Sequence, residues 1–382
     1  MPDTRGTDHQ AWEEEALAMG SHVLGRDKNL VEKVAPGQVV LFGSGETAAA
    51  GGGIFEILAC ALPVPLHIAI LETPAGFELN SEQVARRVAD FLSRRLQNYQ
   101  PQIDLVPARK KGTLLSPDNP DLIGPMRQAD VIFLGAGSPT YATRQLRDSL
   151  AWHTLLARHR LGGVIVLASA ATLAASAKTL PVYEIYKVGA ELHWQAGLDL
   201  FGAFGLELIF VPHWNNSEGG VELDTSRCFM GQERFHRLSA LLSSTVTVVG
   251  IDEHTALLFD FTRSTCSVAG VGGVTILRRE QEQRFRAGDQ FLFQDLGAFR
   301  MPELQMGIPA AIWAQVQQAS AQDSAGLQPP TAVLTLVDQR QAAREARHWA
   351  RADQLRDQIE TLGWKIADTP AGPVVAPRDP KG

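Results

Sequence analysis

Short, uninterrupted apolar runs alternate along the chain with longer stretches whose apolar residues recur every three or four positions. "QVVLFG" (38–43), "PLHIAILE" (65–72), "IDLVP" (103–107), "DVIFLG" (130–135) and "GVIVLA" (163–168) predict strands buried on both faces. Between them, "GGIFEILACAL" (52–62), "SEQVARRVADFLSRRLQNY" (81–99) and "TYATRQLRDSLAWHTLLARHR" (140–160) predict helices. Strand and helix in alternation imply a parallel sheet covered on both sides. After Gly205 the texture changes. "LELIFVP" (206–212), "TVTVVGID" (245–252), "HTALLFDF" (254–261), "TCSVAG" (265–270) and "GVTILR" (273–278) read as strands, with one helix near "GQERFHRLSALL" (231–242). Short turns join the last strands, so antiparallel edge strands are expected. The fold class is α/β, a mainly parallel sheet with helices on both faces.

The flanks differ from this core. Residues 1–36 form a polar extension with one helix expected around Trp12–Met19. The α/β domain takes 37–314. The polar stretch 315–332, with Gly326 and Pro329–Pro330, reads as a linker. A separate helical module follows at 333–376, with two helices broken near Arg347–Trp349. Ala352, Leu355, Ile359 and Leu362 share one face, and Gly363 is placed to end the second helix.

Composition narrows the function. A net charge of −7 gives no bulk support for nucleic-acid or anionic-membrane binding. The three cysteines are far apart and form no CxxC, which argues against a disulfide scaffold or a cysteine zinc site. HExxH is absent, and no metal is expected. No apolar run reaches the roughly 18 residues of a membrane span. The first residues lack a charged-then-apolar signal pattern. A cytoplasmic protein with no membrane partner is expected.

Five loops carry possible chemistry. In "LFGSGETAAAGGG", Gly43, Gly45 and Ala48 fit a dinucleotide fingerprint, with Glu72 as the ribose acid. Glu72 lies further on than the usual ~20 residues, however, and Glu46 would set a negative charge beside the phosphates. A tight strand-to-helix turn explains those glycines as well. In "FLGAGSPTY", Gly135 and Gly137 leave backbone amides free to face a ligand. In "GGVIVLASAATLAASA", Ser169 is either a nucleophile on a tight turn or a small residue where helix meets sheet. A serine nucleophile needs a base, an acid to orient the base, and amide donors for the oxyanion. His213, just past a strand in "IFVPHWNNSEGG", is the candidate base; it could equally close a turn. Asp252 and Glu253 in "VVGIDEHTALLFD" need partners if buried, or form a solvated hairpin.

In this order the motifs resemble the cyanophycinase and dipeptidase E family of serine peptidases, which have a class I glutamine amidotransferase-like, flavodoxin-like fold. "GAGSPT" (135–140), "SAAT" (169–172), "PHWNN" with a downstream arginine (212–238) and above all "GIDEHTALL" (250–258) carry the likeness, over about residues 38–280. The resemblance implies Ser169 as nucleophile, His213 as base and Glu253 as orienting acid. It also implies Gly137 and Ala170 amides in the oxyanion hole, and Asn215 and Arg227 on the substrate. Family members cleave peptide bonds next to aspartyl residues. Leu167 and Ala171 stand where the family has glycines.

Residues 336–375, with "QRQAAREA", the core around 349–357 and "DTPAG", resemble the C-terminal segment of cysteinyl-tRNA synthetases. No synthetase signature occurs elsewhere, so an active tRNA ligase is not expected. The arginines and acids of the segment balance, which suits a salt-bridged surface more than a phosphate-binding face. The expected function is a serine peptidase or amidase acting on a small peptide or amide, without cofactor. The alternatives are a non-catalytic binding protein of this fold whose C-terminal module contacts tRNA or a protein partner, and a dinucleotide-binding protein.

Overall fold

The computed structural model describes residues 35–279, 281–327, 330–369 and 372–377. The helix expected around Trp12–Met19 lies outside them. The chain divides into two compact units, a large one ending at Asp323 and a small one beginning at Ser324.

In the large unit, strands β1 (Val39–Phe42), β2 (His67–Leu71), β3 (Gln102–Val106), β4 (Val131–Leu134) and β5 (Val164–Ala168) follow the apolar runs. Two short strands, β6 (Lys178–Thr179) and β7 (Gln195–Ala196), pair with each other. Then come β8 (Leu208–Val211), β9 (Thr247–Ile251), β10 (Thr255–Asp260), β11 (Thr265–Gly270), β12 (Gly273–Arg278), β13 (Gln281–Arg286) and β14 (Gln290–Leu292). They form an eight-stranded sheet, β14-β11-β10-β1-β5-β4-β2-β3, and a four-stranded sheet, β13-β12-β9-β8. Strands β1 to β5 are mutually parallel, and β10, β11 and β14 complete the large sheet antiparallel. In the small sheet β8 and β9 are parallel.

The central strands are apolar throughout because both faces are covered. Val39 and Leu41 point into one core, with Ile165, Phe210 and Phe259. Val40 and Phe42 point into the other, with Phe55, Phe133 and Val166. The first core joins the two sheets, since it also holds Val249, Ile251 and Ile276.

Several elements differ from the sequence expectation, three of them in ways the sequence explains. The stretch 140–160 is two helices, Pro139–Leu146 and Leu150–Arg160. Asp148 is left-handed and the Ser149 side chain caps the second helix by accepting from the Trp152 amide. The segment 315–332 is helical over most of its length, as the end of helix Ala310–Leu327. Its alanines and glutamines are good helix formers, and the Pro-Pro pair comes only after them. Strand β13 was missed because its sequence, QEQRFR, is almost wholly polar and five of its residues are exposed.

The small unit has helices Thr331–Glu345 and Trp349–Thr361, broken at Ala346–His348. Val333, Val337 and Ile359 pack between them with Trp364. A β-hairpin follows, β15 (Trp364–Thr369) and β16 (Gly372–Pro377), which the helical reading of this module did not include. No helix among the described residues is long and apolar enough to cross a membrane.

His159 illustrates the cost of a buried ring. Its Nε2–H donates to the Gly37 carbonyl at 2.8 Å, while Nδ1 is buried with no partner among the described residues. Burial, with the Arg160 charge beside it, pushes its pKa down to about 3. Below pH 6.5 the unfolded chain therefore takes up a proton that the native ring refuses. Stability is expected to fall as pH drops through that window, by at most about 1.4 kcal/mol per pH unit from this group. Denaturant midpoints across the window check it. His159→Gln should flatten the slope, and an unchanged slope would remove His159 as its source.

Candidate active site

Five loops meet at the carboxyl ends of parallel strands, where open α/β sheets gather ligands. They follow β1, β4 and β5 in the large sheet and β8–β9 in the small one.

Ser169 stands between β5 and helix Ala170–Ala174 with φ 51° and ψ −109°, a conformation that costs an L-residue of order 1–3 kcal/mol. The surroundings hold it there. Its amide donates to the Phe42 carbonyl on β1 at 3.3 Å. Thr172 Oγ1 bonds the carbonyls of Phe42 and Leu167, at 3.0 and 3.1 Å, and ties the helix to the sheet. Leu167 and Ala171, on either side of the turn, fit as buried core residues. The turn thus presents Ser169, not Ala170, to the loops opposite. Ser169 Oγ lies 2.9 Å from His213 Nε2.

His213 is itself left-handed, at φ 51°, immediately after β8. Its Nδ1 is 3.0 Å from Glu253 Oε1. With the Nδ1 proton donated to that carboxylate, Nε2 is left to accept from the serine hydroxyl. Glu253 is held twice more. Asn216 Nδ2 donates to the same Oε1 at 2.9 Å, and the Glu253 amide donates to Asn215 Oδ1 at 2.8 Å. Partial burial pushes the Glu253 carboxyl up, but the hydrogen bonds from Asn216 and His213 outweigh it and its pKa is lowered. The neighbouring Asp252 faces the other way. It is buried, and its Oδ2 accepts from the Gly273 amide at 2.9 Å and from Arg284 at 2.6 Å.

The other expected site residues fall as follows. Gly137 has φ 146°, and any Cβ there would overlap the Pro74 carbonyl. The amides of Gly137 and Ala170 have no acceptor among the described residues. Asn215, expected on the substrate, accepts from the Glu253 amide through its Oδ1. Arg227, also expected there, lies over the Trp214 ring at 3.9 Å and donates to the Trp214 carbonyl at 3.0 Å. Trp214 is buried directly against Gly250, where a Cβ would collide with the indole; this explains the glycine of "GIDE". Gly43 and Gly45 answer to contact as well. A Cβ on Gly43 would strike the Asp252 carbonyl, and one on Gly45 the His254 ring. Glu72, the candidate ribose acid, is buried and ion-paired to Arg109 Nε at 2.7 Å. Residue reasoning missed Asn216 and gave Glu46 no role. The second asparagine of "HWNN" was the only signal for the first.

No family model matches the chain. Among solved structures it is similar to a peptidase from an acI-B1 Actinobacterium, with TM-score 0.55 and 20% identity over 68% of this chain and 98% of that one. The large unit has the fold of that peptidase. A putative peptidase E protein from Listeria monocytogenes aligns at TM-score 0.40 and 12% identity, over 66% of this chain and all of that one. Among curated proteins, the cysteine–tRNA ligase of Chlamydia caviae is 46% identical over 52 residues, 14% of this chain and 11% of the ligase. That of Streptomyces griseus is 51% identical over 43 residues, 11% of this chain and 9% of the ligase. The chain thus spans about a tenth of the length of the curated relatives it matches. A peptidase fold and a short cysteine–tRNA ligase-like segment, both expected from the motifs, recur in these comparisons.

Asn216 is 3% exposed, and its amide serves the Glu253 carboxylate. Asn216→Ala is expected to cost about 1–3 kcal/mol by leaving that acceptor short of a donor. It should also raise the Glu253 carboxyl pKa. Because a lowered carboxyl pKa contributes stability that is lost on acidification, the variant should lose it at higher pH. Carbon-13 NMR titration of the carboxyl checks this; an unshifted titration would mean Asn216 does not hold it.

Proposed function

We propose that the chain is a serine hydrolase of peptide or amide bonds, with Ser169 as nucleophile, His213 as general base and Glu253 as the orienting acid. The observation that carries this reading is the unbroken relay, 2.9 Å from Ser169 Oγ to His213 Nε2 and 3.0 Å from His213 Nδ1 to Glu253. Nε2 takes the hydroxyl proton as Oγ attacks the substrate carbonyl carbon. The carbonyl oxygen, now an oxyanion, accepts from the Gly137 and Ala170 amides. Glu253 stabilises the imidazolium, which passes the proton to the leaving nitrogen as the C–N bond breaks. Water then repeats the sequence on the acyl-enzyme and frees Ser169. The peptidase fold of the large unit supports the same reading. Free thiols at Cys60, Cys228 and Cys266 fit a reducing, cytoplasmic setting.

A fluorophosphonate probe is expected to label the wild-type chain at Ser169 and to leave Ser169→Ala unlabelled. His213→Ala should slow hydrolysis by about four orders of magnitude or more. A wild-type chain that is not labelled, or label that persists in Ser169→Ala, would sink the mechanism and favour a binding protein built on this fold.

For the C-terminal module we propose contact with tRNA, supported by its identity with cysteine–tRNA ligases. Retention of tRNA by the full chain should weaken steeply with salt, as phosphate contacts do. Retention that is absent at low salt would leave a protein partner as the reading for this module.

A further inference from the structure

The Gly137 amide, one of the two donors proposed for the oxyanion, has no side chain to steady it. Its restraint comes from the residues that follow. The Ser138 amide donates to the Pro74 carbonyl at 2.9 Å. Ser138 also caps helix Pro139–Leu146, its Oγ accepting from the Tyr141 amide at 3.2 Å. Ser138 Oγ lies 2.9 Å from Thr140 Oγ1, and Thr140 Oγ1 donates to Glu184 Oε1 at 2.6 Å. A hydroxyl has one proton to give. Thr140 spends its proton on the carboxylate, so it can only accept from Ser138. Ser138 keeps its lone pairs for the Tyr141 amide. Every hydroxyl proton in the chain therefore points toward Glu184, and the acceptor-only carboxylate sets that order. A hydrogen bond to an ionised acceptor is also roughly twice as strong as a neutral one.

Glu184 belongs to helix Val182–Tyr186. Two residues on, Tyr186 packs on Phe229 with ring centroids 5.3 Å apart, and Phe229 lies 6.2 Å from the His213 ring. One short helix thus bears on the loop of the amide donor and on the neighbour of the base. Stability does not account for the acid there. Glu184 Oε2 is buried with no hydrogen-bond partner among the described residues, which costs about 1–3 kcal/mol. A polar group stranded in this way calls for a reason, and the work of Oε1 supplies one.

We propose that Glu184 is a positioning residue for the oxyanion donor, setting through Thr140 and Ser138 where the Gly137 amide points. The proposal rests on the serine hydrolase reading. Without the carboxylate, the Thr140 proton is free to turn to Ser138 and displace the Ser138 proton. The cap, one peptide beyond Gly137, then loosens.

The test times the labelling of the full chain with a fluorophosphonate and with its thiono analogue, in which sulfur replaces the phosphoryl oxygen. In both, Ser169 Oγ bonds to phosphorus, His213 takes the proton and fluoride leaves. Only the oxygen reagent draws fully on the amide donors, because sulfur accepts hydrogen bonds weakly. Glu184→Ala is expected to slow the oxygen reagent by about tenfold to a hundredfold, the cost of a misplaced donor, and the thiono reagent far less. Thr140→Val cuts the same chain from the other side and should match it. The double variant should be no slower than either single one, since both break one link. Glu184→Gln keeps a carbonyl oxygen for Thr140 and should recover most of the loss. Equal slowing with both reagents, a wild-type rate in Glu184→Ala, or a glutamine variant as slow as the alanine one overturns the proposal. If Glu184→Ala does not fold, Thr140→Val decides by the same comparison. Failure of the hydrolase reading looks different, because neither reagent then labels the wild-type chain, and the positioning role falls with it. A wild-type chain labelled at Ser169 at a rate that ignores these substitutions keeps the hydrolase reading and loses this one.

Discussion

The strained turn at Ser169 is the constraint on which the site depends. A serine with φ 51° persists only where its neighbours over-determine it. Here the restraint comes from β1, through the Phe42 carbonyl, which accepts from both the Ser169 amide and Thr172 Oγ1. One carbonyl of the central strand thus fixes the nucleophile's backbone and the helix behind it. The same strand end leads into Gly43, whose missing side chain lets the Asp252 carbonyl approach. Strand β1 therefore sits against both halves of the relay.

Asp252 and Glu253 show how the connection from β9 to β10 divides labour. Asp252 follows the last residue of β9, and Glu253 opens the turn that leads to β10. Asp252 turns to Gly273 and Arg284 and ties β9 to the β12–β13 hairpin. Glu253 turns to His213. Neither acid could replace the other, because the turn between β9 and β10 places each before its chemistry is used.

The large sheet was legible because its strands are apolar runs without interruption, as at Val131–Leu134 and Val164–Ala168. The candidate nucleophile, base and acid were legible because each lies just after such a run. What was not legible depends on partners remote in sequence. Strand β13 is polar and becomes a strand by pairing with β12. The stretch 315–332 looked like a linker because it is polar with Gly326 and the Pro-Pro pair, though the backbone propensity of 315–327 is high. Asn215 and Asn216 could not be told apart by sequence. The structure gives one to the Glu253 backbone and the other to its carboxylate. Glu46 looked wrong for a phosphate loop, and the structure gives it a cavity wall.

The two sheets share a core but belong to different hydrogen-bonded ladders. Ser169 hangs from the large sheet and His213 from the small one, with Glu253 in the turn that joins β9 of the small sheet to β10 of the large. The 2.9 Å contact between them is therefore also a gauge of how the ladders are aligned. A displacement of about 1 Å at a reacting group can cost on the order of a hundredfold in rate. Packing residues between the sheets, such as Phe210, Ile251 and Phe259, thus set the reach of a nucleophile they never touch.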